Sequence, residues 1–262
     1  MQERHSNREK YFIEQSYTTE KYVIPYLKEV MTITPAMKVA EIGCGEGGNL
    51  KPFLDMGCKV VGIDLSETKI ANAWKYYENH PQKANLSLIS KDIYEVKNDP
   101  EYKFDLIIMR DTIEHIPNQE QFMEHLKSFL KPDGKVFFAF PPWRMPFGGH
   151  QQVCSSKILS KLPYFHILPG PIFRGILRLF GENKDLLKSL TEVKDTRISI
   201  ARFHRILRKR GYKIDKETYY FINPNYEVKF KLKPSVLPGI LKIPFFKDFL
   251  VTALYCVVSV KD

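Results

Sequence analysis

Apolar positions along this chain change their period several times. Over 37–42 (MKVAEI), 58–64 (CKVVGID), 85–90 (NLSLIS), 103–110 (KFDLIIMR) and 135–140 (KVFFAF) they run almost unbroken. Short apolar runs rich in Val and Ile predict strands, and the fully apolar ones suit a parallel sheet buried on both faces. Between them the spacing is helical. Residues 46–56 suit a helix. Ser66 opens SETKIANAWKYYENH as an N-cap with Glu67 in the first turn. Residues 119–130 place Phe122, Met123, Leu126, Phe129 and Leu130 on one stripe, and Lys131-Pro132-Asp133-Gly134 turns the chain. Upstream, 19–31 gathers Tyr22, Val23, Tyr26, Leu27 and Val30 on one face, with Pro25 in the first turn or at a kink.

Strands alternating with helices at this spacing imply an open, mostly parallel α/β sheet. The rhythm breaks over 141–198, which is rich in Pro and Gly and carries short helical pieces, SSKILSKL and PIFRGILRLF. It returns with SIARFHRILRKRGY (199–212), a basic amphipathic helix ended by Gly211. YKIDKETYYFI and FLVTALYCVVSV supply the last strands. The pattern divides the chain into an N-terminal helical cap (1–36), a sheet core (37–140), a helical insertion (141–198) and a C-terminal return to the core (199–262).

Composition narrows the classes. With 262 residues and 44% apolar content, a sizeable core is expected and global disorder is excluded. The net charge of +10, with clusters at 202–213 and 229–233, admits nucleic acid, an anionic membrane or an acidic substrate. No zinc-finger, RRM or KH signature is present, so a solvated basic surface is the simpler reading and nucleic acid is not expected. The four cysteines form no C-x-x-C pair and suggest reduced thiols in a cytoplasmic setting. The charged N-terminus lacks the apolar stretch of a secretory signal. The longest apolar run, 249–260, is too short to span a bilayer. The seven histidines show no H-x-x-x-H pair and no Cys partner at ligand spacing, so no metal is expected.

The turn after the first strand reads Glu41-Ile42-Gly43-Cys44-Gly45-Glu46-Gly47-Gly48. Gly43, Gly45 and Gly48 satisfy G-x-G-x-x-G, which alone says only that a ligand approaches backbone closely at the sheet edge. The acids discriminate between ligands. Carboxylates at Glu41 and Glu46 would repel a pyrophosphate but suit a cationic ligand such as S-adenosylmethionine. Asp64, closing the second strand, is placed to accept from both ribose hydroxyls. Asp92, in SKDIYEV after the third strand, is placed beside an adenine with Ile93 as an apolar ring contact. Asp64 as a simple turn acid and Asp92 as a simple helix N-cap are the competing structural readings.

At these residues the chain resembles the class I S-adenosylmethionine-dependent methyltransferases of the type 11, small-molecule style. The motifs are V-A-E-I-G-C-G-E-G (39–47), V-G-I-D-L-S (61–66), K-D-I (91–93), F-D-L-I-I-M-R-D-T-I-E-H-I (104–116) and L-K-P-D-G-K (130–135). They cover roughly 37–140 in the order of a doubly wound sheet. The resemblance implies a seven-stranded, Rossmann-like sheet whose antiparallel edge strand is FLVTALYCVVSV. It implies S-adenosylmethionine as cofactor, held by Glu41, Gly43, Gly45, Asp64, Leu65, Asp92 and Ile93, with Arg110 at the cofactor edge. It also suggests that Tyr11 and Tyr17 close the pocket from the N-terminal side.

Three residues are candidates for catalysis. Asp111 and His115, four apart after the fourth strand, share a face if that turn is helical. For His115, support of the next loop and catalysis are both open. His150 follows Gly148-Gly149 at the ligand-binding edge of the sheet. It reads either as a general base or as a loop histidine bonding a carbonyl. In PPWRMPFGGHQQ (141–152) the prolines would fix the exit from strand five, Trp143 and Phe147 would wall the pocket, and the glycines would let His150 approach the methyl.

The insertion suits a lid over an apolar acceptor or a surface resting on a membrane, with Arg174 and Arg178 flanking an apolar face. The expected activity is methyl transfer, preferably to oxygen, on a small quinone-like, lipid-like or glycan-related acceptor. The alternative is a non-catalytic module of the same fold that binds RNA or protein through its basic surface. The sequence sets no oligomeric state.

Overall fold

A computed structural model describes residues 7–97 and 100–261. Among these, eight strands form one sheet: β1 (Lys38–Ile42), β2 (Lys59–Asp64), β3 (Leu86–Ser90), β4 (Phe104–Arg110), β5 (Leu130–Phe140), β6 (Tyr212–Ile222), β7 (Ser235–Val236) and β8 (Ala253–Val260). Their order is β3-β2-β1-β4-β5-β8-β6-β7. The first five pair in parallel, and β8 runs antiparallel to both β5 and β6. The sheet is the doubly wound α/β arrangement, with one strand more than expected, the two-residue β7. The last strand is also not at the edge. It is inserted between β5 and β6, where its Ala253–Val258 positions are buried.

The central parallel strands β1, β2 and β4 are largely apolar on both faces because both faces are covered, whereas the edge strand β3 is only partly buried. Neighbouring residues of β4 go opposite ways. Leu106 and Ile108 pack with the N-terminal helices, while Ile107 and Met109 pack with Phe122 and Phe203. Helices α1 (Arg8–Thr18), α2 (Ile24–Lys28), α3 (Lys51–Asp55) and α4 (Glu67–Tyr76) contribute to the first face; α5 (Gln119–Leu126) and α8 (Ile200–Lys209) contribute to the second. On that second side Phe203 meets Phe138 and Phe140 edge to face, with ring centroids 5.0 and 5.1 Å apart. Such pairing adds about 0.5–1.5 kcal/mol beyond area burial.

The N-terminal helix starts earlier than its apolar spacing suggests, at Arg8, where Asn7 caps it by accepting from the Lys10 amide. Between α1 and α2 the chain widens into a π turn, Thr19–Val23, just ahead of Pro25. Proline clashes with the carbonyl four residues back, and the wider turn absorbs that clash. The helix expected over 46–56 is confined to α3, because residues 43–50 are committed to turns. Lys131–Gly134 remains within β5, but the β4 register jumps from Phe104↔Leu130 to Leu106↔Lys135, so the predicted turn becomes a bulge.

The insertion between β5 and α8 carries 3-10 turns and the helices α6 (Gly170–Leu179) and α7 (Lys184–Thr196). It has its own small core of Cys154, Leu159, Phe165, Phe173, Leu177 and Leu190. Two further short helices, α9 (Asn225–Phe230) and α10 (Lys247–Leu250), complete the chain.

Candidate active site

The motifs that follow β1, β2, β3 and β4 lie at the carboxyl edge of the sheet, whereas L-K-P-D-G-K opens β5 at the opposite edge. The glycine loop is built for close approach. Gly43, Gly45 and Gly47 have φ of +74°, +56° and +77°. A Cβ on Gly43 would lie 2.6 Å from the Thr112 side chain, and one on Gly48 would lie 2.4 Å from the Phe12 carbonyl. Glycine at 43 and 48 therefore packs loop, β4 exit and α1 together.

Asp64 pins this loop. One carboxylate oxygen accepts from the Gly45 amide at 2.8 Å and the other from the Ser66 amide at 2.9 Å. Leu65 beside it is largely exposed. Glu41 is buried at the end of β1 and accepts from the Asn49 amide group at 2.5 Å. Its second oxygen has no hydrogen-bond partner. Burial pushes the Glu41 carboxyl up to about 8, against the pull of Asn49 and Arg110. A cationic donor would satisfy the unpaired oxygen, and the positive-φ glycines leave backbone open. The loop thus fits the ammonium-bearing S-adenosylmethionine.

Other expected contacts sit differently. Glu46 is buried against α1, where Arg8 holds it through two hydrogen bonds, so its charge is already matched within the chain. Asp92 caps a 3-10 turn, accepting from the Tyr94 amide at 3.0 Å. Ile93 is turned into the core with Val96. Arg110 is buried beneath the loop, donating to Thr19 at 2.9 Å, to Asn225 at 2.8 Å and to Asn49. It ties the N-terminal helices, the glycine loop and α9 to one guanidinium. Tyr17 lines a separate hollow with Ile13 and Glu227, whereas Tyr11 lines the cleft described next.

That cleft, of about 370 Å³, opens beside the loop. Arg8, Tyr11, Lys69, Asp111, His115 and His150 line it together with Met145, Phe147, Asn225, Tyr226 and Lys229. A second hollow of about 570 Å³ shares Met145, Phe147, Gln152, Tyr226 and Thr252 with it. Asn225, Tyr226 and Lys69 carried no signal in the sequence, and Lys229 stood out only as part of the basic cluster at 229–233. They come from α9 and α4, far apart in the chain, and no motif marks them.

Asp111 holds a left-handed backbone, φ +50°, with its amide bonded to the Ala139 carbonyl at 2.8 Å. That conformation is costly for a non-glycine residue and places strain at the cleft. Glu114 and His115 follow in a 3-10 turn. Glu114 is buried, and neither of its carboxylate oxygens has a hydrogen-bond partner. Burial and the nearby Asp111 hold its carboxyl well above the usual range. His150, at φ +59°, brings its Nε2 within 3.8 Å of a Glu114 oxygen and its ring within 5.0 Å of His115. Burial beside His115 and His166 lowers the His150 imidazole to about 3, which makes it a weak general base at neutral pH. His115 is lowered too, chiefly by burial.

Two readings of PPWRMPFGGHQQ change. Phe147 does wall the cleft, but Trp143 is buried against His166, with ring centroids 4.5 Å apart. A Cβ on Gly149 would lie 2.1 Å from that of His166, and one on Gly148 would lie 2.3 Å from the Trp143 carbonyl. The glycines serve the packing of the insertion against itself.

The methyltransferase-domain family model matches residues 17–217, well over half of the chain. The chain belongs to this family. This methyltransferase is 32% identical over 103 residues to a ubiquinone biosynthesis O-methyltransferase of Rhodopseudomonas palustris, a stretch covering 39% of either protein. It thus spans well under half the length of that curated relative. Its fold matches a putative sarcosine dimethylglycine methyltransferase from Galdieria sulphuraria, with TM-score 0.58, 12% identity and 92% and 84% of the two chains covered. It also matches magnesium protoporphyrin IX methyltransferase from Synechocystis PCC 6803 with bound SAH, with TM-score 0.56, 15% identity and 95% and 84% covered. The class I fold and S-adenosylmethionine as the family's cofactor agree with the glycine loop. Among the described residues no helix is long and apolar enough to cross a membrane.

Proposed function

We propose that this chain methylates a hydroxyl oxygen of a small, partly apolar acceptor, with a quinone-like ring as the best fit. The observation that carries this reading is the cleft beside the glycine loop, lined by Asp111, His115 and His150 together with Met145, Phe147 and Tyr226. Its apolar side suits a ring or chain, and its polar floor suits a hydroxyl. The partial likeness to ubiquinone O-methyltransferases supports the same acceptor class.

S-adenosylmethionine supplies an activated methyl group on a sulfonium, already a good leaving group. The protein's task is alignment and loss of the acceptor's proton. Glu41 and the loop at Gly43 and Gly45 take the cationic end of the cofactor, and Asp64 takes its ribose. Leu65 and Asp92 border the adenine side. Asp111, His115 and His150 face the acceptor oxygen. With His150 so weakly basic, its part is orientation of the hydroxyl.

A strip of exposed apolar side chains, including Ile240, Ile243, Phe245 and Phe246, lies among Lys242 and Lys247. It supports an apolar acceptor reached from an anionic lipid surface. The RNA-binding alternative gains less. In the basic stretch around α8, Lys209 and Arg210 pair with Glu120, and His204 pairs with Glu217.

Calorimetry with S-adenosylhomocysteine, followed by methyl transfer to a panel of catechol, phenol and amine acceptors, tests the proposal. Binding together with transfer to a hydroxyl supports it. Absence of cofactor binding, or transfer to amines alone, overturns it.

A further inference from the structure

We propose that the side-chain amides of Asn223 and Asn225 form a pair of hydrogen-bond donors that binds the acceptor through an ionised, phenol-type oxygen. The groups behind the two amides fix their orientation. Arg110 donates through Nη2 to the Asn225 Oδ1 at 2.8 Å. A guanidinium has donors only, so the Asn225 carbonyl must face it and the amide nitrogen takes the other end. The backbone N–H of Asn225 donates in turn to the Asn223 Oδ1 at 3.0 Å, which orients the second amide in the same sense. Both residues line the cleft. Among the described residues, neither amide nitrogen donates within the chain. What the two side chains have left to offer the cleft is N–H.

The pair is held from behind. Arg110 is buried and also donates to Thr19 and Asn49, so Asn225 cannot reverse its amide without taking a partner from a buried charge. Asn223 is itself buried at the entry to α9. Donors locked in this way lose little freedom when a ligand arrives. The charge around them has the matching sign. Beyond Arg8, which Glu46 matches, the cleft is lined by Lys69 and Lys229 against one acid, Asp111.

An oxygen with free lone pairs satisfies both N–H groups. An ammonium group can only donate, so it would meet two donors and leave all of them unsatisfied. The pair therefore selects an oxygen acceptor over an amine. It also favours the ionised hydroxyl over the neutral one, because a hydrogen bond to a charged oxygen is the stronger. A hydroxyl bound there gives up its proton to solvent more readily, and less is asked of the weakly basic His150. That role rests on the function proposed above; the donor assignment rests on Arg110 and the Asn225 backbone alone.

The full chain with S-adenosylhomocysteine bound is titrated with 4-nitrophenol at several pH values, its coloured anion followed by absorbance. Nitrobenzene, which has the ring but no ionisable oxygen, is titrated in parallel by calorimetry. Bound nitrophenol is expected to ionise about one pH unit below the free probe. Asn225→Asp keeps an oxygen for Arg110 and replaces the donor, so it should weaken nitrophenol binding about tenfold or more while S-adenosylhomocysteine affinity stays within about twofold. Asn225→Ala removes the donor without adding charge and should weaken nitrophenol about five- to tenfold. Nitrobenzene should change by less than about twofold in either variant. Unshifted ionisation, no nitrophenol binding, or unchanged affinity in Asn225→Ala overturns the donor pair, as does an equal loss of both probes. The expected nitrophenol results without methyl transfer to any hydroxyl of the acceptor panel would overturn the function and leave the pair standing.

Discussion

The Asp64 carboxylate accepts a hydrogen bond from the Gly45 amide at 2.8 Å, across the mouth of the glycine loop. One acid at the end of β2 thereby sets the shape of the turn after β1. If it also receives ribose hydroxyls, its loss removes a ligand contact and a loop anchor together. Asp64→Ala should weaken S-adenosylhomocysteine binding about 10- to 100-fold, read by calorimetry, while the melting temperature falls by only a few degrees. Bonds to a charged group of about 1.5–3 kcal/mol set that range. Unchanged affinity would remove Asp64 from the cofactor site.

Gly43 carries a positive φ and abuts Thr112. Gly43→Ala should cost about 2–4 kcal/mol in denaturant unfolding, from backbone strain plus overlap. Adding Thr112→Ala relieves the overlap but not the strain, so the double variant should recover only part of the loss. Full recovery would show that φ at Gly43 is unimportant.

Glu41 gives a stability that depends on pH. Burial raises its folded pKa to about 8, above the ordinary 4.5. The folded state therefore holds this proton more tightly than the unfolded chain. The associated stabilisation is complete below pH 4.5 and is lost as pH rises through 8. Ligand-free protein should lose stability across that window, by at most about 1.4 kcal/mol per pH unit from this one group. Glu41→Gln should flatten the profile by that amount, measured by thermal melts at several pH values. A parallel profile in the variant would refute the assignment.

Arg110 bridges Thr19, Asn49 and Asn225 from a buried position. Arg110→Ala should destabilise by about 3–5 kcal/mol, because the Thr19 hydroxyl and the Asn49 and Asn225 amide oxygens all lose their charged donor. Arg110→Lys keeps the charge but offers one compact ammonium where three groups are bridged, and it should recover less than half. Urea unfolding measures both, and S-adenosylhomocysteine affinity should fall in step as the loop and α1 loosen.

If the exposed apolar strip reaches lipid, Phe245→Ser with Phe246→Ser should reduce cosedimentation with phosphatidylglycerol vesicles several-fold at unchanged melting temperature. Equal sedimentation would remove this surface from any membrane role.

Local pattern alone determined a great deal here. Apolar runs marked β1, β2, β4 and the second half of β5 because strands covered on both faces have few polar positions to alternate with. The glycine loop was legible because positive φ and close backbone packing demand glycine there, and Glu41 and Asp64 were placed at the ends of adjacent strands because the strands themselves were legible. Tertiary structure decided the rest. It set β8 between β5 and β6, a pairing that a strand's own composition cannot encode. It moved Tyr17 to another hollow, gave Glu46 to Arg8, turned Trp143 toward His166 and put Ile93 in the core, since each depends on partners remote in sequence. It also brought Glu114, His115 and His150 together. Sequence periodicity reports which way a side chain faces on its own element; only the packing of separate loops onto one sheet edge reports what it meets there.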